Sequence, residues 1–562
     1  NPAALKANIE DVRGGGIVVV DEDEFNKVNL RKAGYDEGYN PIHDEVLNAK
    51  YKMFPVPVTR LVKEALAETE LSAKDVSRTR NMFALGLVYW LYGRPLQPTI
   101  DFLNGFFGKK KNLPEVAEAN IRVLRAGYDF GETTEMIVHR YEVDKADIPP
   151  GKYRRITGNE STAMGLITAA TLAEKHVVYA GYPITPASDI LHALAAQKHF
   201  GVKTIQAEDE IAAVCAAIGA SFAGQIGVCA TSGPGLALKS EAIGLAVMTE
   251  LPLVVVDVQR GGPSTGLPTK TEQSDLLQAM FGRNGDCPVI IMAPKSPSDC
   301  FDVAIEAIRR AIECMTPVLL LSDGYVANGA EPWLIPDPKT FEKIEVGHLP
   351  PASAEGDGQD GVFQPYARNE LLARPWAAPG TKGYEHRIGG LEKQHLTGNV
   401  AYAPENHQFM TDLRAEKVDR LADRIPPVEV EGPESGDLLV LGWGGTYGAI
   451  TTAVTRARNK GKSVAAAHLR YLNPMPRNLE GVLRSYKHVL VPELNTGQLR
   501  LLIRGRYLVD ARGLNKVAGQ PFLVDEVEQA IELMLNGQWP DRESLTPHHH
   551  GLSLENQDQA AA

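Results

Sequence analysis

The chain has 562 residues, a length that as a soft prior holds about three or four domains. With 44% hydrophobic and 23% charged residues it has the composition of an ordinary soluble globular protein. Its longest apolar runs, such as 251–256, are strand length and far short of the roughly 18 residues of a membrane span. The net charge of −12 argues against nucleic acid and anionic membrane as partners. No signal peptide opens the chain, and Asn1 is not a methionine, so the natural protein is expected to begin upstream. The cysteines, Cys215, Cys229, Cys287, Cys300 and Cys314, form no C-x-x-C pair. That spacing suits no iron–sulfur cluster and no structural zinc, and points to buried thiols in a reducing cytoplasm.

Residues 1–148 read as a first α/β unit. A glycine turn feeds a strand ending at Asp21, a helical pattern covers 60–68, and an apolar helix covers 81–90. Pro149-Pro150-Gly151 reads as a linker. Residues 153–336 alternate strand and helix strictly. Strands are expected at 177–180, 227–231, 254–259, 289–292 and 318–322, with helices at 159–175, 209–223, 240–250 and 298–314. Strands that are apolar throughout imply a parallel sheet covered on both faces. Over 337–433 the pattern dissolves into a Pro-, Gly- and Ala-rich linker that wraps neighbouring surfaces, with a short helix near 408–423. Residues 434–540 read as a smaller α/β unit, with strands at 438–444, 464–469, 489–491 and 521–524 and helices at 449–460 and 526–535. Residues 541–562 read as a polar, mobile tail.

Some apparent motifs fail. Gly461-Lys462-Ser463 ends like a P-loop but follows a helix, with Arg456 where the first glycine belongs. Gly442, Gly444 and Gly448 miss the dinucleotide spacing, since Tyr447 holds its last position. Gly356-Asp357-Gly358 looks like a diphosphate motif but lacks a strand before it. His548-His549-His550 lies in the tail and reads as a solvated run.

The positive signals gather in the second unit. Tyr182-Pro183-Ile184-Thr185-Pro186-Ala187-Ser188-Asp189 joins a buried strand to a helix, with Thr185 placed to cap it and Pro186 in its first turn. Glu208-Asp209-Glu210 opens an apolar, small-residue helix. Acids favour helix starts generally, but Glu210 would also be desolvated against that surface, which raises proton affinity. Thr231-Ser232-Gly233-Pro234-Gly235 is a glycine-rich loop that lets a flat ligand approach backbone, or a simple turn. Arg260, at the end of another strand, suits carboxylate binding, or is a loop arginine. Thr185, Glu210, Ser232 and Arg260 all fall at C-terminal strand ends, which share one edge of a parallel sheet. That convergence predicts an anion- and ring-binding cleft and no more.

Together these motifs resemble the α subunit of the 2-oxoacid:ferredoxin oxidoreductases, in the form with a γ domain fused N-terminally. The residues that match are the turn 182–188, the helix 206–217, the segment 259–276, and Pro492-Glu493-Leu494-Asn495-Thr496-Gly497-Gln498-Leu499. The resemblance implies a γ domain, a pyrimidine-binding domain of thiamine enzymes and a transketolase-C-like domain. It implies that Glu210 is catalytic, facing the aminopyrimidine of thiamine diphosphate, with Pro183, Ile184, Thr231 and Ser232 as further cofactor contacts. Tyr182, Thr185 and Arg260 would hold the 2-oxoacid, with Thr185 and Arg260 at its carboxylate and carbonyl end. A separate β subunit would supply the diphosphate–Mg2+ site and a 4Fe-4S cluster, in an α2β2-type assembly that is inert without it. Ferredoxin would take the electrons and coenzyme A the acyl group. The first unit departs from the pattern, since it lacks the usual glycine-rich opening of a γ domain.

Fusion of γ to α, and Gly383-Tyr384-Glu385-His386-Arg387-Ile388-Gly389-Gly390, resemble the branch that uses 2-oxoglutarate. His386 and Arg387 would then reach the distal carboxylate, against the plainer reading of a loop salt bridge. Pyruvate or a branched 2-oxoacid as substrate, and a non-catalytic scaffold subunit, remain open at this point.

Overall fold

The computed structural model describes residues 1–134, 140–346, 363–540 and 543–547. Gly356–Gly358 and His548–His550 lie outside them. The chain forms two compact units, Asn1–Pro150 and Gly151–Ala562.

In the first unit the strands Ile17–Asp21 and Lys52–Val56 pair in parallel. The apolar helix is Arg80–Leu91, and it crosses the long helix Pro114–Thr134 at glycines. A Cβ on Gly86 would lie 2.0 Å from the Leu124 carbonyl oxygen, and one on Gly127 2.0 Å from that of Phe83. Only glycine permits so close a crossing.

The second unit is built on two sheets. The larger runs Tyr471–Asn473, Ile290–Met292, Pro317–Asp323, Leu253–Gln259, Ile226–Thr231, Val177–Gly181, Lys203–Gln206 in spatial order. All neighbours are parallel except Tyr471–Asn473 against Ile290–Met292. Its inner strands are buried along their whole length, as their unbroken apolar spelling requires. The helix Gly158–Leu172 starts with a capping box. Thr157 Oγ1 accepts from the Glu160 N–H at 3.3 Å, and Glu160 Oε2 accepts from the Thr157 N–H at 3.1 Å. Gly165 lets this helix approach Asp299–Cys314, where a Cβ would meet the Phe301 carbonyl oxygen at 2.4 Å.

The smaller sheet runs Val430–Glu431, Val464–Leu469, Gly436–Trp443, Tyr486–Glu493, Ala511–Asn515, Ser544–Leu545. Two expectations are corrected here. The strand expected at 521–524 is absent, and Ala511–Asn515 takes its place in the ladder. Pro521 has no N–H to give, and its carbonyl accepts instead from Lys516 Nζ at 3.0 Å, while the Leu523 N–H caps onto Glu526 Oε2 at 2.8 Å. The segment after 540, read as a mobile tail, places Ser544–Leu545 on the sheet edge beside Gly513–Leu514.

The segment from residue 363 to 403 carries isolated bridges and no long element, followed by a helix Pro404–Arg420. It is anchored by buried polar contacts. Trp376 Nε1 donates to the Ser221 carbonyl at 2.9 Å, Arg374 Nε donates to that of Thr249 at 3.2 Å, and Arg368 and Lys417 both pair with the buried Glu250.

Candidate active site

In the larger sheet the strand Val177–Gly181 lies between Lys203–Gln206 on one side and Ile226–Thr231 on the other. The chain therefore winds away in opposite directions from this strand, which opens a crevice at the C-terminal ends. Tyr182 leaves the first strand and Thr231 ends the second, so both stand buried at that edge. The Tyr182 hydroxyl lies 2.7 Å from Thr231 Oγ1. Burial, with the Glu210 carboxylate adding to it, pushes the Tyr182 phenol well above its usual range.

The glycine that makes this cluster possible is Gly235. A Cβ there would stand 2.1 Å from Thr231 Oγ1, 2.2 Å from the Tyr182 hydroxyl and 3.0 Å from Glu210 Cγ. One small position thus gathers three of the residues singled out from sequence. Glu210 is the first residue of the helix Glu210–Phe222 and half-buried in this chain. Asp209, not Glu210, caps the helix, accepting from the Ala212 N–H at 2.8 Å, so the Glu210 carboxylate is left for the crevice.

The turn after Tyr182 differs from its expected geometry. The helix begins at Ser188 and not at Thr185, and Ala187 holds the N-cap position. Ser188 Oγ accepts from the Ile184 N–H at 2.9 Å and donates to the Ile184 carbonyl at 2.9 Å, tying the turn to itself. The Thr185–Pro186 bond is cis. Thr185 and Pro183 are exposed and Ile184 half-exposed. The Thr185 carbonyl oxygen accepts from Arg260 Nη1 at 2.7 Å. Arg260, reached from the end of Leu253–Gln259, is only 7% exposed and its Nε has no partner. Ser232 Oγ is likewise buried without a partner. These orphaned groups, beside glycines that keep the backbone bare, fit a flat heteroatom-bearing ligand approached from one side. The residues present therefore suit the aminopyrimidine end of thiamine diphosphate. Among the described residues, no three His, Cys, Asp or Glu side chains gather to hold a metal ion.

Sequence reading missed three buried charges behind this wall. Lys239 lies with its ammonium 4.4 Å from the Tyr182 ring centroid. Asp257 and Asp275 face one another, and the Asp257 oxygens meet no N–H or O–H donor. Burial raises Asp275 to about 6, and burial with the Asp275 charge raises Asp257 well above the carboxylate range, so the pair shares a proton. The available signal was the spelling itself: Asp257 interrupts Leu253-Val254-Val255-Val256, and Lys239 separates two apolar helices.

His386 and Arg387 stand elsewhere in the described contacts. His386 Nδ1 lies 2.8 Å from the Tyr384 carbonyl and the ring meets Phe363 edge-on at 5.3 Å. Burial lowers its pKa, and Arg374 lowers it further. Arg387 is exposed. No hydrogen bond or ion pair among the described residues joins either of them to Tyr182, Thr185, Glu210 or Arg260.

A family described as pyruvate flavodoxin/ferredoxin oxidoreductase, thiamine diphosphate-binding, matches residues 169–400. A second, described as pyruvate ferredoxin/flavodoxin oxidoreductase, matches residues 1–130. The chain is 52% identical over 545 residues to the 2-oxoglutarate oxidoreductase subunit KorA of Mycobacterium tuberculosis, covering 97% of this chain and 81% of that protein. The chain belongs to the 2-oxoacid:ferredoxin oxidoreductase family. Its α/β architecture with a thiamine-diphosphate-binding domain is that of an oxidoreductase of this family. The α subunit of 2-oxoacid:ferredoxin oxidoreductase 2 from Aeropyrum pernix is similar at 29% identity, over 94% of this chain and 86% of that one. A solved structure of the 2-oxoglutarate:ferredoxin oxidoreductase from Magnetococcus marinus, with 2-oxoglutarate, coenzyme A and succinyl-CoA bound, superimposes with a TM-score of 0.82. It is 32% identical, and the match covers 95% of this chain and 87% of that one. No helix of the described residues is long and apolar enough to cross a membrane.

Proposed function

We propose that this chain is the α subunit of a cytoplasmic 2-oxoglutarate:ferredoxin oxidoreductase, converting 2-oxoglutarate and coenzyme A to succinyl-CoA and CO2 while reducing ferredoxin. The observation that carries the reading is the 52% identity to a 2-oxoglutarate oxidoreductase subunit along nearly the whole chain. Thiamine diphosphate, when bound, supplies the carbanion chemistry that releases CO2 from a 2-oxoacid. Glu210 would hold the cofactor's aminopyrimidine and exchange a proton with its ring nitrogen, a task suited to a carboxylate. Pro183, Ile184, Thr231 and Ser232 complete the cofactor wall of this chain. Arg260 and Thr185, linked through the Thr185 carbonyl, take the carboxylate and keto oxygen of the substrate, with Tyr182 beside them. For the far carboxylate of 2-oxoglutarate, the segment 383–390 offers His386 and Arg387.

By resemblance, a β subunit supplies the diphosphate–Mg2+ site and the 4Fe-4S cluster, in an α2β2-type assembly. The test is anaerobic viologen reduction by the chain co-expressed with its β subunit, with 2-oxoglutarate and pyruvate competing. Turnover that needs coenzyme A and prefers 2-oxoglutarate is the expected result. Turnover with pyruvate or a branched 2-oxoacid alone overturns the substrate and leaves the reaction class.

A further inference from the structure

Lys239 is the residue of the active-site wall that packing does not explain. Its side chain is fully buried, at 0% exposure, and its ammonium has no hydrogen-bond partner. Its backbone is fixed independently, since its N–H donates to the Gly235 carbonyl at 3.1 Å and its carbonyl accepts from the Ile243 N–H at 3.0 Å. An unpaired ammonium taken out of water costs free energy that a methionine of similar shape would not. Local rules broken in this way mark functional sites.

The groups that face the ammonium come from each element packed around it. They are the Tyr182 ring from the turn, Cys229 from the strand Ile226–Thr231, Asp257 from Leu253–Gln259, and Glu210 and Asp209 from the next helix. Burial raises the Cys229 thiol to about 11, which keeps it neutral. Asp257 shares its proton with Asp275. Asp209 is exposed and committed to its helix cap. Glu210 is left as the remaining carboxylate, and it interacts with the same phenol on whose ring Lys239 lies.

We propose that Lys239 is a positioning residue for the reaction: lying on the Tyr182 ring, it fixes the Tyr182–Thr231–Glu210 cluster and opposes the charge of Glu210. This rests on the reading of Glu210 as the acid that exchanges a proton with the cofactor. Lys239 acts through the Tyr182 ring on which it lies. It does so without occupying the crevice.

The test uses the complex with the β subunit and compares wild type, Lys239→Met, Lys239→Arg and Glu210→Gln. For Lys239→Met the account expects a thermal midpoint equal to or above wild type, because an orphaned charge is gone. It expects kcat/KM for the 2-oxoacid to fall about tenfold or more. It also expects the loss to fall on kcat and to leave KM nearly unchanged, since Lys239 sits behind the Tyr182 ring and fixes a cluster that it does not complete itself. Lys239→Arg, which keeps the charge, restores part of kcat. An unchanged kcat in Lys239→Met, with Glu210→Gln inactive, overturns the role of Lys239 and leaves Glu210 in place. Failure of Lys239→Met to assemble also overturns it, since a packing role alone predicts that result. Full activity of Glu210→Gln removes the reading of Glu210, and this inference with it.

Discussion

Gly235 shows how one atom's absence sets the chemistry of this wall. A methyl group there would overlap the Thr231 hydroxyl and the Tyr182 hydroxyl, at 2.1 and 2.2 Å. Both belong to the hydrogen-bonded pair that faces Glu210, and neither has room to retreat from a buried position. Gly235→Ala is therefore expected to cost about 1–3 kcal/mol of stability through overpacking. Activity should fall in the assembled enzyme by more than that loss of folded protein accounts for, read as kcat per folded complex. Behind the wall, Asp275 adds a pH dependence whose sign can be worked out. Burial raises its carboxyl from 3.8 to about 6, so the folded chain keeps a proton that the unfolded chain has already lost. The native state binds more protons over that window, and stability from this group falls as pH rises from about 4 to about 6. Asp275→Asn should flatten that slope in chemical denaturation at a series of pH values. An unchanged slope would mean Asp275 holds no extra proton over that window.

Among the elements, the irregular segment after residue 363 is held by ionic contacts more than by secondary structure. Burial alone would raise the Glu250 carboxyl, but Lys417 and Arg368 beside it hold it at about 2. The stability this clasp contributes is complete above pH 4.5 and is lost as pH falls toward about 2. Glu250→Gln leaves two buried cations facing a neutral amide and should cost about 3–5 kcal/mol near neutral pH. The difference from wild type should shrink in acid, measured by denaturant unfolding. The ionic clasp was not legible in the sequence, where the stretch reads as a Pro-, Gly- and Ala-rich linker that wraps neighbouring surfaces. Its partners, Glu250 and Ser221, sit more than a hundred residues away along the chain. The apolar strands such as Leu253–Gln259 were legible because continuous hydrophobicity has one use in a parallel sheet. Ala511–Asn515 was not, since Arg512 and Gly513 break that spelling and the ladder is completed by strands on both sides.

At the scale of the second unit, the segment matched at 259–276 joins the two sheets. Gln273 Nε2 donates to the Trp443 carbonyl at 2.7 Å, its Oε1 accepts from the Leu494 N–H at 3.0 Å, and its carbonyl accepts from Asn495 Nδ2 at 2.7 Å. Glu493 turns the same motif into a helix cap, accepting from the Leu499 N–H at 2.7 Å and the Arg500 N–H at 3.0 Å. The motif Pro492–Leu499 therefore holds the smaller sheet against the wall that carries Arg260, and its side chains are structural. The placing of Thr185, Glu210, Ser232 and Arg260 at one edge could be foreseen because each falls at or just past the C-terminal end of a strand. Lys239 and Asp257 could not be assigned to it, because which face of a buried strand or helix meets the crevice depends on strand order. Strand order is a property of the folded sheet alone.

Coenzyme A-dependent viologen reduction by 2-oxoglutarate in the complex with the β subunit, wild type against Glu210→Gln, decides whether Glu210 carries the reaction. The account predicts turnover in the wild type and a loss of about a hundredfold or more in the variant, the size of a proton-transfer contribution, with the complex still assembled. Full activity in Glu210→Gln would contradict it.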